Sequence, residues 1–456
     1  MSVPTAAPTE RPPTPTGQST VRHWVVVIGT TLVMVAASVV LSGLSLVTAP
    51  VVANLYTADD GRTPINGGAA AFLIYFSLMT AAIVVPLMFF SGRLLAKYGA
   101  RVMLVVGGIV IAAGLAVFAV STNSAMFYAA GIIMGLGYGA SLALIPPALV
   151  TAWFVAKKGL VLGIVLAGTG VGGFLWSFIL PPLMAQAPDA WRTAVWLMAG
   201  ALLALVILPA LLLIKNKPGD VGLVPYGMAE GAAGPARPDP NAVLPGLTYQ
   251  QAIRSAAFWI AAAGFFLFGV AVAVTQVLSI VFKSAAYENP IDRATWTPQQ
   301  ISFYSTLFMV WTIALVFWKP ILGILNDKIG LIGMMLVTLA LMVAALFYMP
   351  SMLYGSNTAL MFAAMVGMSA GISNATVTPP LVMAAAVGPR DFGRVFALAV
   401  ALYYAGNAIG APLWGFLGNL GQYALGMRLA PILVGLFILA SVAAVRMGKA
   451  QWANKT

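Results

Sequence analysis

Four features of the 456-residue sequence predict an all-α membrane protein of twelve transmembrane helices, arranged as two six-helix bundles about a pseudo-twofold axis. Hydrophobic residues make up 61% of the chain and charged residues 7%, against about 25% charge in a soluble domain. The apolar residues fall in runs of roughly 20 or more, the length an α-helix needs to cross a ~30 Å hydrocarbon core. Lys and Arg gather in alternate connections between the runs, and motifs of the first half return in the second at a nearly constant offset.

Taken in order, residues 1–22 are a Pro- and Thr-rich stretch without a long apolar run, read as a disordered cytoplasmic tail. Span 1, 24–52, is too long for a signal peptide. Spans 2 to 6 follow at 69–90, 102–120, 125–150, 159–184 and 193–214, which sets an N-terminal bundle over 23–214. Residues 215–254 are the longest hydrophilic stretch, dense in Pro and Gly, and read as a cytoplasmic linker that lets the bundles move separately. A short amphipathic turn from Tyr249 to Arg254 is expected on the membrane surface at its end. Spans 7 to 12 lie at 256–282, 300–322, 331–350, 357–387, 394–419 and 428–446, a C-terminal bundle over 255–447 followed by a tail at 448–456. The ten-residue alternating segments of an outer-membrane barrel are not present in this pattern.

A formal charge of +12 would suggest nucleic acid as the partner of a soluble protein. Here the basic residues border the spans, so the lipid bilayer is the expected partner and nucleic acid is not. With the N-terminus inside, only Arg62, Arg192, Lys283, Arg293 and Arg428 fall outside. That asymmetry fits the positive-inside rule, with both termini cytoplasmic and the inner membrane as the location. The chain has no cysteine and a single histidine, His23, so thiol chemistry is excluded, and neither a metal nor a cofactor is expected.

The duplication rests on paired motifs. Gly92-Arg-Leu-Leu-Ala-Lys-Tyr-Gly99 follows span 2 and Gly323-Ile-Leu-Asn-Asp-Lys-Ile-Gly330 follows span 8, an offset of 231 positions. Pro146-Pro147 in span 4 matches Pro379-Pro380 in span 10 at an offset of 233, and Gly159 matches Gly393 at 234. A parallel repeat of six spans is the arrangement in which two bundles rock about a site near the bilayer midplane. The proline pairs remove backbone donors and are expected to bend or end spans 4 and 10. Gly131, Gly135, Gly137 and Gly139 in span 4, and Gly163, Gly168, Gly170, Gly172 and Gly173 in span 5, are spaced as packing seams.

On these motifs the chain resembles the major facilitator superfamily over nearly its whole length. The family's loop pattern, Gly-x-Leu-x-Asp-x-x-Gly, is complete at Gly323, Leu325, Asp327 and Gly330, while Ala96 takes the Asp position of the first copy. Within the superfamily, Trp153-Phe154 through Lys158-Gly159 to Gly170, Ala190-Trp191-Arg192 and Asn216-Lys-Pro-Gly-Asp-Val-Gly-Leu-Val-Pro-Tyr-Gly227 resemble the monocarboxylate porters and oxalate/formate antiporters. The resemblance implies a secondary transporter working by alternating access. Its gate set would be Gly92, Gly99, Arg101, Gly323, Asp327 and Gly330. Asp327 would face span 5 near Gly159, where a carboxylate meets the positive end of a helix dipole. The bland alternative for Asp327 is a solvated loop charge.

Lys319 is the basic residue that lies with some depth inside a predicted span, and such a charge is a functional candidate by default. The monocarboxylate porters resemble this region with Arg-Pro-x-x-Gly, whose Arg is taken to bind a carboxylate; here it reads Lys319-Pro320-Ile-Leu-Gly323, with Leu315 where such porters carry a polar residue. Lysine keeps the charge and loses the planar fork. The alternative is a lysine snorkelling to the headgroups. Span 11 departs from the oxalate antiporters, which place a second cation there, and carries Tyr403-Tyr404-Ala-Gly406-Asn407. One cation favours a monoanion over a dianion, and Tyr403, Tyr404 and Asn407 can supply neutral donors. Asn374, Gln276 and Tyr138 are the further substrate candidates, on spans that line the cavity in the resembled family; interhelical packing is the alternative for each. Trp176, Trp311 and Trp414 are bulky enough to wall a pocket or to pack a seam.

No Asp or Glu lies well inside a predicted span, which argues against a proton relay of buried carboxylates; protons, if moved, would travel with the substrate or through an unusual group. An enzyme would need a nucleophile, metal ligands or an acid–base pair at membrane depth, and the sequence offers none. The expectation is a monomeric transporter of a small molecule, a monocarboxylate moved by proton symport or anion exchange. Export of a neutral or hydrophobic compound is the second reading.

Overall fold

The computed structural model describes residues 20–58, 65–154, 158–223, 225–226, 246–277, 298–351, 357–388, 392–420 and 422–452. Span 1 comprises α1 (Thr20–Ser38), a π-helical segment (Val39–Gly43) and α2 (Leu44–Leu55). Span 2 is α3 (Gly68–Phe89), and α4 (Ser91–Val120) carries the loop motif and span 3. Span 4 is split into α5 (Ser124–Ala140) and α6 (Ile145–Trp153), and α7 (Lys158–Met184) and α8 (Trp191–Leu212) are spans 5 and 6. After the linker helix α9 (Tyr249–Arg254), span 7 is α10 (Ala256–Val272) with a 3₁₀ turn to Val277. One long helical run, α11 (Pro298–Tyr348), holds spans 8 and 9, while α12 (Thr358–Val387), α13 (Phe392–Asn419) and α14 (Tyr423–Trp452) are spans 10 to 12. Among the described residues ten helices are long and apolar enough to cross a membrane, and α3 and α13 complete the twelve.

The long runs in α4 and α11 are not straight rods. Gly99 (φ 76°, ψ 166°) and Gly330 (φ 74°, ψ 169°) turn the chain in a conformation that favours glycine, and they stand at the 231-position offset of the motif. Helix starts repeat as well. The Asn123 side chain accepts from Met126 N at 3.1 Å to cap span 4, and Asn357 accepts from Leu360 N at 3.1 Å to cap span 10. Each cap satisfies a backbone donor that would otherwise be orphaned in lipid.

The proline pairs behave differently in the two copies. In span 4 the helix breaks ahead of them, at residues 141–144, and Pro146 and Pro147 begin α6, where a missing N–H costs nothing. In span 10 the helix runs through Pro379 and Pro380 to Val387, against the sequence expectation of a bend or end there. The residues before the prolines explain this: Gly137, Gly139 and Ser141 are weak helix formers. At the offset of 233 their counterparts in span 10 are Ala370, Ile372 and Asn374, and Asn374 accepts a side-chain hydrogen bond of 2.6 Å from Thr378 along one helix face.

Packing follows the glycine seams. A Cβ at Gly131, Gly135 or Gly139 would run into the backbone of Tyr75, Met79 or Ile83, so spans 2 and 4 touch main chain to main chain. Span 5 packs on span 1 and span 11 on span 7. Gly172 lies against Val35 O in the first pair and Gly406 against Phe266 O in the second, at offsets of 234 and 231. Trp176 ties span 5 to Ser38 of span 1 at 2.9 Å, and Trp414 ties span 11 to Val270 O of span 7 at 2.8 Å. Both indoles therefore hold seams inside a half.

The halves meet through spans 5 and 8, spans 2 and 11, and spans 1 and 7. Exchanging the copies turns the first pair into the second and leaves the third unchanged, as a twofold axis through spans 1 and 7 requires. The linker is docked at both ends. Trp153 Nε1 donates to Lys215 O at 3.2 Å, Tyr226 N to Trp153 O at 2.8 Å, and Leu247 N to Val387 O at 2.8 Å. The amphipathic turn forms α9, started by a Thr248–Gln251 capping box.

Candidate functional site

Lys319 is 7% exposed and does not snorkel. It sits about 10 Å along the helix from Asn326, the end of the apolar part of span 8. Its Nζ donates to Leu166 O at 2.8 Å and to Thr169 Oγ1 at 2.8 Å, both on span 5 of the other half. Among the described residues these neutral oxygens are its hydrogen-bond partners. Beside it Gly170 and Gly173 bring span 5 against Thr312 and Val316, which holds the two helices close.

Span 11 supplies the aromatic part of the interior. The Tyr403 and Tyr404 rings meet edge-on at 5.5 Å, and Tyr138 of span 4 lies near enough to both to interact electrostatically. Three hydroxyl-bearing rings thus converge from the two halves. Asn407, 6% exposed, donates to Tyr403 O at 3.3 Å one turn back along its helix. The structure brings together Tyr138, Tyr403, Tyr404 and Asn407.

Gln276 is placed elsewhere. Its Oε1 accepts from Ser45 Oγ at 3.0 Å, a bond between spans 1 and 7 whose partners are 231 positions apart. Since 231 is also the motif offset, Ser45 and Gln276 are equivalent positions of the two copies and touch on the pseudo-twofold axis. Asn419 closes the same membrane face, donating to Gly67 O at 2.9 Å and accepting from Ala69 N at 3.0 Å. We call this the distal face, opposite the one where Thr20 and Trp452 lie.

Asn374 is fully buried and its amide is engaged inside the second half: it donates to Thr338 Oγ1 at 2.9 Å and Ala370 O at 3.0 Å and accepts from Thr378 at 2.6 Å. In this structure it joins spans 9 and 10 and leaves no donor for a ligand. Of the gate set, Arg101 binds the end of span 6, with Nε to Ala210 O at 3.1 Å and Nη2 to Leu211 O at 2.6 Å, rather than the other half. Its backbone N–H donates to Asn216 Oδ1, and a Cβ at Gly99 would collide with that same Asn216 side chain. Gly323 and Gly330 have no neighbour among the described residues within 4 Å of where a Cβ would lie, and Gly92 lies in the first turn of α4. The Asp327 side chain and its expected contact near Gly159 lie outside the described residues.

Thr169, Leu166 and Ser45 were missed by sequence reasoning. A hydroxyl or carbonyl on an apolar helix carries no distinctive signal, although Ser45 could have been found by asking which polar residues of span 7 have a polar counterpart at the repeat offset. Trp311 Nε1 is buried without a hydrogen-bond partner among the described residues, two turns before Lys319.

Two like bundles of apolar helices, meeting at a two-fold seam with a buried cation and a cluster of hydroxyls, define a membrane transporter. The chain belongs to the Major Facilitator Superfamily, whose sequence profile matches residues 25–289. Monocarboxylate transporter 12-B of Danio rerio is 32% identical over 116 residues, 25% of this chain and 23% of that protein. The MFS-type transporter YhjX of Escherichia coli is 24% identical over 297 residues, 63% of this chain and 64% of that protein. The agnestins efflux protein AgnL12 of Paecilomyces divaricatus is 28% identical over 108 residues, 24% and 25% of the two chains. The chain thus spans from about a quarter to under two thirds of the curated relatives it matches. A crystallised mutant of the nucleoside transporter NupG shares the fold with a TM-score of 0.64 at 14% identity, over 93% of this chain and 99% of that one. An inward-facing, unoccupied bacterial homologue of the lysosomal transporter Spinster does so with a TM-score of 0.62 at 14% identity, over 95% and 98%.

Proposed function

We propose that the chain moves a small organic monoanion, a monocarboxylate, across the cytoplasmic membrane by alternating access. The observation that carries this is Lys319: a cation buried between the halves, with no acidic side chain among the described residues to balance it. Burying a charge in lipid is costly, and a carboxylate cargo supplies the missing counter-charge. A single cation matches a single carboxylate. Tyr138, Tyr403, Tyr404 and Asn407 then offer hydroxyl and amide donors for the rest of a hydroxy- or keto-acid, and Trp311 an indole donor. Without carboxylates in the spans, coupling takes the form of a proton carried with the substrate or of exchange for a second anion.

Ser45–Gln276 and the Asn419 bonds keep the distal face shut in this state, with residues 23–214 and 255–447 acting as the two moving bodies. The basic residues favour placing both termini in the cytoplasm, so the distal face is the outer one. The test is uptake of labelled L-lactate into proteoliposomes by the wild type and Lys319→Gln. Loss of uptake with an unchanged size-exclusion profile is expected; full uptake by the variant would remove the anchor.

A second reading is export of a neutral or hydrophobic compound, favoured by the sparse charge and by the segment similar to an efflux protein. Thermal-shift titration with lactate, formate, oxalate and a lipophilic cation separates the two, since only the first reading expects lactate or formate to stabilise the protein and Lys319→Gln to erase that effect.

A further inference from the structure

The inference rests on reading Lys319 as the anion anchor and concerns what holds that lysine when no anion is present. Lys319 extends from span 8 and directs its protons at Leu166 O and Thr169 Oγ1 of span 5, both at 2.8 Å. Thr169 in turn donates to Leu166 O at 2.9 Å, so the three groups form a closed triangle across the seam between the halves. A carbonyl that already serves its own helix and a hydroxyl are weak company for an ammonium at membrane depth. A carboxylate makes a shorter, charge-assisted bond to the same protons.

We propose that Thr169 is a latch partner which the substrate carboxylate displaces from Lys319, so that binding unfastens span 8 from span 5. Thr169 is then a positioning residue: it holds the ammonium in place and competes with cargo without touching it. Three features support the competition. The donor is one nitrogen, so the two uses exclude each other. The latch joins the two halves, so its loss changes their relation. The glycine contacts at Gly170 and Gly173 are van der Waals contacts that slide without leaving a buried polar group unpaired, whereas the lysine needs a new acceptor when the seam opens.

The chain has no cysteine, which makes the test direct. Spin labels at Ile164→Cys on span 5 and Ile324→Cys on span 8, both exposed positions, report the distance between those helices. In reconstituted full-length protein, L-lactate is expected to lengthen this distance in the wild type. Thr169→Val, which keeps shape and removes the hydroxyl, is expected to lengthen it without ligand and to bind lactate about tenfold more tightly, the size of one lost hydrogen bond to a charged group. Thr169→Ser should behave as wild type, and lactamide should do nothing. Should Thr169→Val fold poorly, Thr169→Ala serves in its place.

Unchanged distance and affinity on loss of the hydroxyl, with lactate still bound in a Lys319-dependent way, would overturn the latch and leave the anchor standing. Lengthening on loss of the hydroxyl while lactate fails to bind the wild type would keep the fastening role of Thr169 but overturn both displacement by a carboxylate and the monocarboxylate reading.

Discussion

The two loops that follow spans 2 and 8 share a backbone and differ in what supports it. Gly99 and Gly330 have the same left-handed turn within a few degrees. Around Gly99 the turn is fastened: Asn216 packs on it, and Arg101 closes the last carbonyls of span 6. Around Gly330 nothing among the described residues stands within 4 Å of where a Cβ would lie, and the Arg101 counterpart is Ile332. Duplication has preserved the geometry, while the second copy alone keeps the Asp327 motif and, at the position matching Met88, carries Lys319. One loop is braced by span 6; the other keeps the acidic residue Asp327 and follows Lys319.

The largest effect that can break this comparison concerns the seams. Gly131→Val should prevent accumulation of folded protein, because its side chain would enter the Tyr75 main chain, while Met365→Val at the matching position of span 10 should cost about 1 kcal/mol. Fluorescence-detected size exclusion separates the two outcomes, and equal damage at both would mean that the seams are not specialised. Next, Gly99→Ala should lower stability by about 2–3 kcal/mol, from strain plus collision with Asn216, and Gly330→Ala by only about 1 kcal/mol from strain. Thermal melts of the purified variants would show the ratio.

Arg101→Gln should cost about 1–2 kcal/mol by freeing the carbonyls of Ala210 and Leu211, and Ile332→Gln much less, read in the same melts. The smallest effect sharpens the likeness. Asn123→Ala and Asn357→Ala should each cost about 1 kcal/mol, and a clear difference between them would show that the caps are not equivalent.

Hydropathy and the offset made the helices legible, because length and apolarity are the very properties that lipid selects. Each expected span overlaps a described helix, with residues 278–282 of span 7 outside the described residues and span 12 extended to Tyr423–Trp452. Interruptions were harder. The π segment at Val39–Gly43 has no proline to announce it, and the proline pairs misled in span 10, where tertiary packing and the Asn374–Thr378 bond outweigh a local preference. At the site, the sequence pointed to the lysine because a charge in an apolar run is conspicuous. It did not point to Thr169 or Leu166, whose importance comes from a neighbour some 150 positions away. Asn374 illustrates the converse: a polar residue on a span expected to line the cavity, whose amide is nonetheless spent on Thr338 and Ala370.

The Ser45–Gln276 bond also says what fusion of the copies makes available. Two identical subunits meeting on a twofold axis must each present the same side chain to it, so serine would face serine or glutamine face glutamine. Once both copies reside in one polypeptide, evolution can place a short hydroxyl on one side and a long amide on the other. The bond at the centre of the distal face thus joins a pair of unlike parts, which two identical subunits on a twofold axis cannot present.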